Sequence, residues 1–111
     1  MFAKVFSDLH LEFMGPEFNP GTGDVLVLAG DVLTARNLNR DEASPKRQRY
    51  LNFLNACSQG YKHVVYVAGN HEHYGYDVAR SQEAIKNVLP ANVHFLECDE
   101  FVLGDWVFLG A

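Results

Sequence analysis

Three short clusters hold the side chains that can do chemistry: Ser7-Asp8-Leu9-His10, Gly30-Asp31 and Gly69-Asn70-His71-Glu72. Asp8 and His10 stand two residues apart, a spacing that lets both turn to one side and grip one ion. A carboxylate paired with an imidazole suits Mn, Fe, Zn or Ni better than Ca or Mg. Asp31 follows a glycine that lets the backbone come close, and its two carboxylate oxygens are able to bridge two ions. Asn70 offers a neutral carbonyl oxygen as a ligand that adds no negative charge. His71 is then left unligated and pointing at a substrate. An imidazole with its reference pKa of ~6.5 is a good proton donor to a departing alkoxide at neutral pH. Paired metal ions ~3.5–4 Å apart activate a water and neutralise phosphoryl oxygens.

Each cluster directly follows an apolar run, and those runs must position it. Residues 2–6 read as a short strand. Residues 25–29 are a continuous apolar run suited to a central strand covered on both faces. Residues 63–68 are a third such strand. Between them, residues 34–43 read as a polar surface loop. Ser44 and Pro45 open a helix as N-cap and first helical residue; Tyr50, Phe53, Leu54 and Cys57 recur on one face, and Gly60 stops it. Asp77 caps a second helix whose buried face is Val78, Ile85, Val88 and Leu89, and Pro90 ends it. Residues 93–96, 101–103 and 106–109 are further strands, with Gly104-Asp105 as a hairpin turn that adds antiparallel character at one edge of the sheet. Strands alternating with helices predict an α/β fold. In an open α/β sheet, ligands bind beyond the carboxyl ends of the strands, so parallel neighbours would bring all three clusters to one rim.

The 111 residues are 48% hydrophobic and 21% charged, the profile of one globular domain rather than a disordered tail. A formal net charge of -5 argues against a nucleic-acid surface or an anionic membrane as partner. It leaves a phosphate substrate open, because bound metal can supply the positive charge. No run approaches the ~18 apolar residues of a membrane span. The opening residues are too soon interrupted by Ser7-Asp8 to read as a signal peptide, and Cys57 and Cys98 form no CxxC pair. The expected location is cytoplasmic.

Asp8-Leu9-His10, Gly30-Asp31 and Gly69-Asn70-His71-Glu72, in this order and each after a strand, resemble the motifs of the calcineurin-like metallophosphoesterases. The wider wording, residues 7–13 and 28–32, is similar to the bacterial and phage phosphohydrolase branch. The resemblance implies a β-sandwich flanked by helices, two divalent metal ions and hydrolysis of a phosphate-ester substrate. It implies that Asp8 and His10 ligate the first ion, Asp31 bridges both, and Asn70 ligates the second and touches the phosphate. His71 would assist the leaving group or the transition-state oxyanion, and Glu72 would support the ligands rather than take part in catalysis. The family pattern also includes an isolated His after a strand and a Gly-His-x-His pair, which these residues lack. Residues 1–111 are therefore read as one incomplete domain, the N-terminal portion of the sandwich. Its uncovered apolar face implies self-association or a partner that completes the missing half.

Taken singly, each of these Asp, Asn and His residues is an ordinary turn or capping residue. Their joint order after three strands is what favours a catalytic reading. The alternative is a noncatalytic module that keeps the fold for protein interaction. Among the other histidines, His63 reads as solvated, His94 as a hydrogen-bonded structural residue, and His73 as a candidate to line the pocket. Lys46, Arg47 and Arg49 read as a solvated helix face, and Phe101, Trp106 and Phe108 as core.

Overall fold

A computed structural model describes residues 3–7, 9, 19–38, 45–69, 71–73, 77–97 and 99–110, with backbone alone at 36, 37, 45, 71 and 99. Strands β1 (Ala3–Phe6), β2 (Gly23–Ala29), β3 (Tyr61–Val67) and β4 (Val93–Phe95) form a parallel sheet in the order β1-β2-β3-β4. Helix α1 (Pro45–Gly60) connects β2 to β3, and α2 (Val78–Lys86) connects β3 to β4. The register aligns Phe6 with Leu28, Leu28 with Tyr66 and Tyr66 with Phe95. The carboxyl ends of the strands therefore share one rim.

Alternation along β2 and β3 divides the apolar side chains between two layers. Leu26, Leu28, Val64 and Tyr66 face α1, where Tyr50, Phe53, Leu54 and Cys57 pack against them, joined by Ile85 of α2. Burial pushes the Cys57 thiol up to about 12. Val25 and Val65 face the other way and pack with Leu96, Phe101, Leu103 and Phe108. The last three belong to the antiparallel hairpin of β5 (Asp99–Leu103) and β6 (Trp106–Gly110). Gly104, at φ 58°, supplies the left-handed residue of its two-residue turn.

The α/β fold with strands alternating with helices and a closing hairpin is as the sequence predicts, and several details differ. The hairpin is a separate two-stranded sheet, lying on a face of the parallel sheet rather than extending its edge. Cross-strand pairing puts Phe101 beside Phe108 and Leu103 beside Trp106 on one side of the ribbon. A ribbon apolar on that side gains by covering a sheet face. Residues 34–38 are not a surface loop: Ala35–Leu38 is a 3-10 turn, and Thr34, Ala35 and Leu38 are buried. The Thr34 and Tyr50 hydroxyls hydrogen-bond at 2.9 Å. Arg47 is half-buried, its Nε donating to the Leu38 carbonyl at 3.2 Å, so it ties this turn to α1 instead of being simply solvated.

In α2, Asp77 caps as expected, accepting from the Arg80 amide at 2.8 Å. Val78, however, is 53% exposed, and the buried residues are Ser81 and Ile85. Val78 lies in the first turn, seven residues from Ile85, and the helix is held to the core from Ser81 onward. Trp106 is 42% exposed at the end of the ribbon, where it stacks on Phe108, 6.0 Å between ring centres. Among the described residues no helix is long and apolar enough to cross a membrane.

Candidate active site

The rim is built by two backbone turns that touch. After β2 the chain passes through Gly30 at φ 91° and Asp31 at φ 53°, two consecutive left-handed residues. Glycine takes this conformation freely, and Asp is among the few side chains that tolerate it. After β3 the chain reaches Gly69 and then the 3-10 turn His71–His73. A Cβ on Gly30 would stand 3.0 Å from both Cα and N of Gly69. One on Gly69 would stand 2.5 Å from Asp31 Oδ1 and 2.8 Å from Asp31 N. Both glycines are therefore needed for contact, and the Asp31 carboxylate lies directly against Gly69.

Glu72 pins the two turns together from beneath. It is fully buried, and its carboxylate accepts five hydrogen bonds. Oε1 takes the amides of Asp31 at 2.8 Å and Gly69 at 2.7 Å. Oε2 takes the amides of Val32 at 2.7 Å and Leu33 at 3.1 Å, and the Tyr66 hydroxyl at 2.9 Å. Burial of a carboxylate is tolerable only when its oxygens are matched in this way, and such charge-assisted bonds are about twice as strong as neutral ones. Burial and then the negative charge of Glu72 raise the Tyr66 hydroxyl far above the usual phenol range, so it stays protonated and donates.

Asp8, His10, Asp31, Asn70 and His71 are the residues expected at this rim. Asp31 is there, at the end of β2. Asp8, His10 and Asn70 lie outside the described residues, and His71 is described by its backbone in the turn after Gly69. Among the described residues no three His, Cys, Asp or Glu side chains gather into a metal-binding group. Of the expected ligands the described residues include the Asp31 carboxylate, an oxygen donor suited to a divalent ion, laid against the bare backbone of Gly69 at the sheet rim. Tyr66 was missed, because it stands within an apolar strand run and reads there as one more core residue. The five-fold role of Glu72 was only partly legible, through its place in the third cluster.

The remaining histidines lie apart from this chemistry or beside it. His63 is half-buried rather than solvated, with its ring 5.7 Å from that of His94 and 5.4 Å from that of Phe101. His94 stacks on Phe101 at 4.0 Å, and its Nε2 is buried without a hydrogen-bond partner among the described residues, so ring packing under the hairpin holds it. Burial, then the neighbouring His63, lowers the His94 pKa. An open groove of about 450 Å³, lined by Asp24, Lys62, His63, Leu103 and Gly104, lies at the amino end of β2 and β3, opposite the rim. His73 is half-buried in the turn of the third cluster, with Nδ1 lacking a hydrogen-bond partner among the described residues.

No curated protein and no solved structure matches the chain. Residues 2–108 match the sequence model of the calcineurin-like phosphoesterases, which spans nearly the whole chain and all three clusters. The chain belongs to the calcineurin-like phosphoesterase family, whose members are hydrolases that normally bind divalent metal ions.

Proposed function

We propose that residues 1–111 supply one half of a dinuclear metal centre that hydrolyses a phosphate ester. The observation that carries this reading is the contact of the Asp31 carboxylate with Gly69, which joins the second and third clusters at one rim. Two divalent ions bound there would neutralise phosphoryl oxygens and make an attacking water more acidic. Asp8 and His10 are assigned to one ion, Asn70 to the other and Asp31 to both. Four ligand side chains are too few for two ions that each want at least about four donors. The other donors are assigned to polypeptide beyond these residues. The outer side of the hairpin, where Val102 and Val107 are each 56% exposed and Leu109 78%, offers apolar surface for it to cover.

The 111 residues alone are accordingly expected to bind Mn²⁺ weakly and to hydrolyse p-nitrophenyl phosphate poorly. Calorimetric titration and a colorimetric assay of the purified chain check this. Two tightly held ions with robust turnover would overturn the half-site reading.

His71 is assigned to the leaving group, protonating its oxygen as the ester bond breaks. It follows Asn70 directly, and adjacent side chains diverge. In the protein carrying all its donors, His71→Ala is expected to lower turnover by roughly 10²–10⁴-fold, the usual worth of a general acid. Metal stoichiometry, measured on the same preparation by plasma emission, should stay at the parent value. Loss of an ion instead would make His71 a ligand.

A further inference from the structure

We infer that Tyr66 and Glu72 form a positioning pair for the Asp31 carboxylate, so that metal affinity at the rim is set from the buried side of the sheet. The inference rests on the proposed metal centre. Its starting point is the conformation of Asp31. A non-glycine residue at φ 53° is held there by its surroundings. The surroundings are the Glu72 carboxylate, which accepts from Asp31 itself and from the next two amides, Val32 and Leu33. Three successive N–H groups converging on one anion fix the peptide planes on either side of Asp31, and with them the direction of its Cβ. The bond from the Gly69 amide to the same carboxylate fixes the opposite wall.

Tyr66 is what holds the carboxylate. Its ring packs edge-on against Phe95, 5.2 Å between centres, and its hydroxyl reaches Oε2 of Glu72. Among the described residues it is the one side chain of the five donors to Glu72; the other four are the amides being positioned. The phenol therefore supplies the reference point that the amides do not supply for themselves. An anion buried merely to stabilise a turn is a poor choice, since desolvation can exceed what pairing returns. A rim that must aim a carboxylate at a cation gives the pair a use.

The test uses the 111-residue chain, its amides followed by NMR, with Tyr66→Phe and Glu72→Gln beside the parent. Tyr66→Phe keeps the ring and removes one donor. Glu72→Gln removes the charge and turns one accepting oxygen into an amide nitrogen. Hydrogen exchange is read at Asp31, Val32, Leu33 and Gly69 against the core amides of Leu26 and Val64. Mn²⁺ binding, even when weak, is read as paramagnetic broadening of the Asp31 and Gly69 amides.

Loss of a group that orients a ligand typically costs about 10–100-fold in metal affinity. The Mn²⁺ concentration for half-broadening is expected to rise by at least about 10-fold in Glu72→Gln and by a smaller factor in Tyr66→Phe. Exchange should quicken at the four rim amides and not at Leu26 or Val64. Unchanged Mn²⁺ dependence in the variants, or equal loss of protection at rim and core, would reduce the pair to a structural role and overturn the inference. If Glu72→Gln does not fold, the Tyr66→Phe comparison decides by itself. No broadening at Asp31 or Gly69 in the parent would overturn the metal centre instead, and the pair's role toward it with that centre.

Discussion

Gly69→Ala is expected to be among the most damaging single-methyl substitutions in the chain. The new Cβ would stand 2.5 Å from Asp31 Oδ1 and 2.8 Å from Asp31 N, distances at which something must move. The carboxylate can rotate away. The Asp31 amide cannot easily follow, because it is bonded to Glu72 Oε1 at 2.8 Å. Nor can Gly69 retreat without breaking its own 2.7 Å bond to the same oxygen. Overpacking of this kind costs about 1–3 kcal/mol, which chemical denaturation of the chain would detect. The functional loss should be larger. A catalytic group displaced by about 1 Å can cost about 100-fold in rate, and here a proposed bridging ligand is pushed. In the protein carrying all its donors, turnover of p-nitrophenyl phosphate should fall by about that factor. Wild-type turnover in Gly69→Ala would mean that Asp31 does not sit at the reacting centre.

The parts of the fold legible in the sequence were those governed by local rules. Apolar runs at 25–29 and 63–68 are strands because β-branched residues buried on both faces leave few alternatives. Asp77 caps α2 because its side chain accepts the Arg80 amide in the first turn. What escaped was decided by tertiary contact. Ala35 and Leu38 sit in a polar stretch, and they are buried because the 3-10 turn folds back between the two helices. Val78 looks like a core position by helical spacing, yet no described residue covers the first turn of α2 on that side. The placement of the hairpin depends on which face of the sheet is open, and pairing signals say nothing of that.

The site follows the same division. The glycine before Asp31 and the one before Asn70 are visible as residues, and the use of a glycine for close approach is readable from the first. Their mutual contact is not, since it joins positions 30 and 69 across two strands. Glu72 was recognisable by its place in the third cluster. Its partners were not, because four of its five donors or their companions, from Asp31 through Leu33 and Gly69, are backbone amides that carry no sequence signature.

Asp31→Asn should separate charge from backbone. Asparagine tolerates the left-handed region as aspartate does, so φ 53° and the bonds from the 31–33 amides to Glu72 should persist. What changes is one negative charge and one accepting oxygen. Without metal, that charge acts on the buried pair beneath it. Asp31 lies close enough to the buried Glu72–Tyr66 pair to help keep the phenol protonated, and two carboxylates in one polar pocket repel. The metal-free variant is therefore expected to melt no lower than the parent. With metal the sign reverses. A ligand shared by two ions disturbs both when its charge is lost, and removal of a mere orienting partner already costs about 10–100-fold. In the protein carrying all its donors, Asp31→Asn should lose at least one ion and more than about 100-fold in turnover, exceeding any other single ligand substitution. Metal content, turnover of an aryl phosphate and a melting curve, taken on one preparation, read all three effects. Two retained ions with normal turnover would remove Asp31 from the bridging position, and a lower melting point without metal would show that its charge supports the turn instead of straining it.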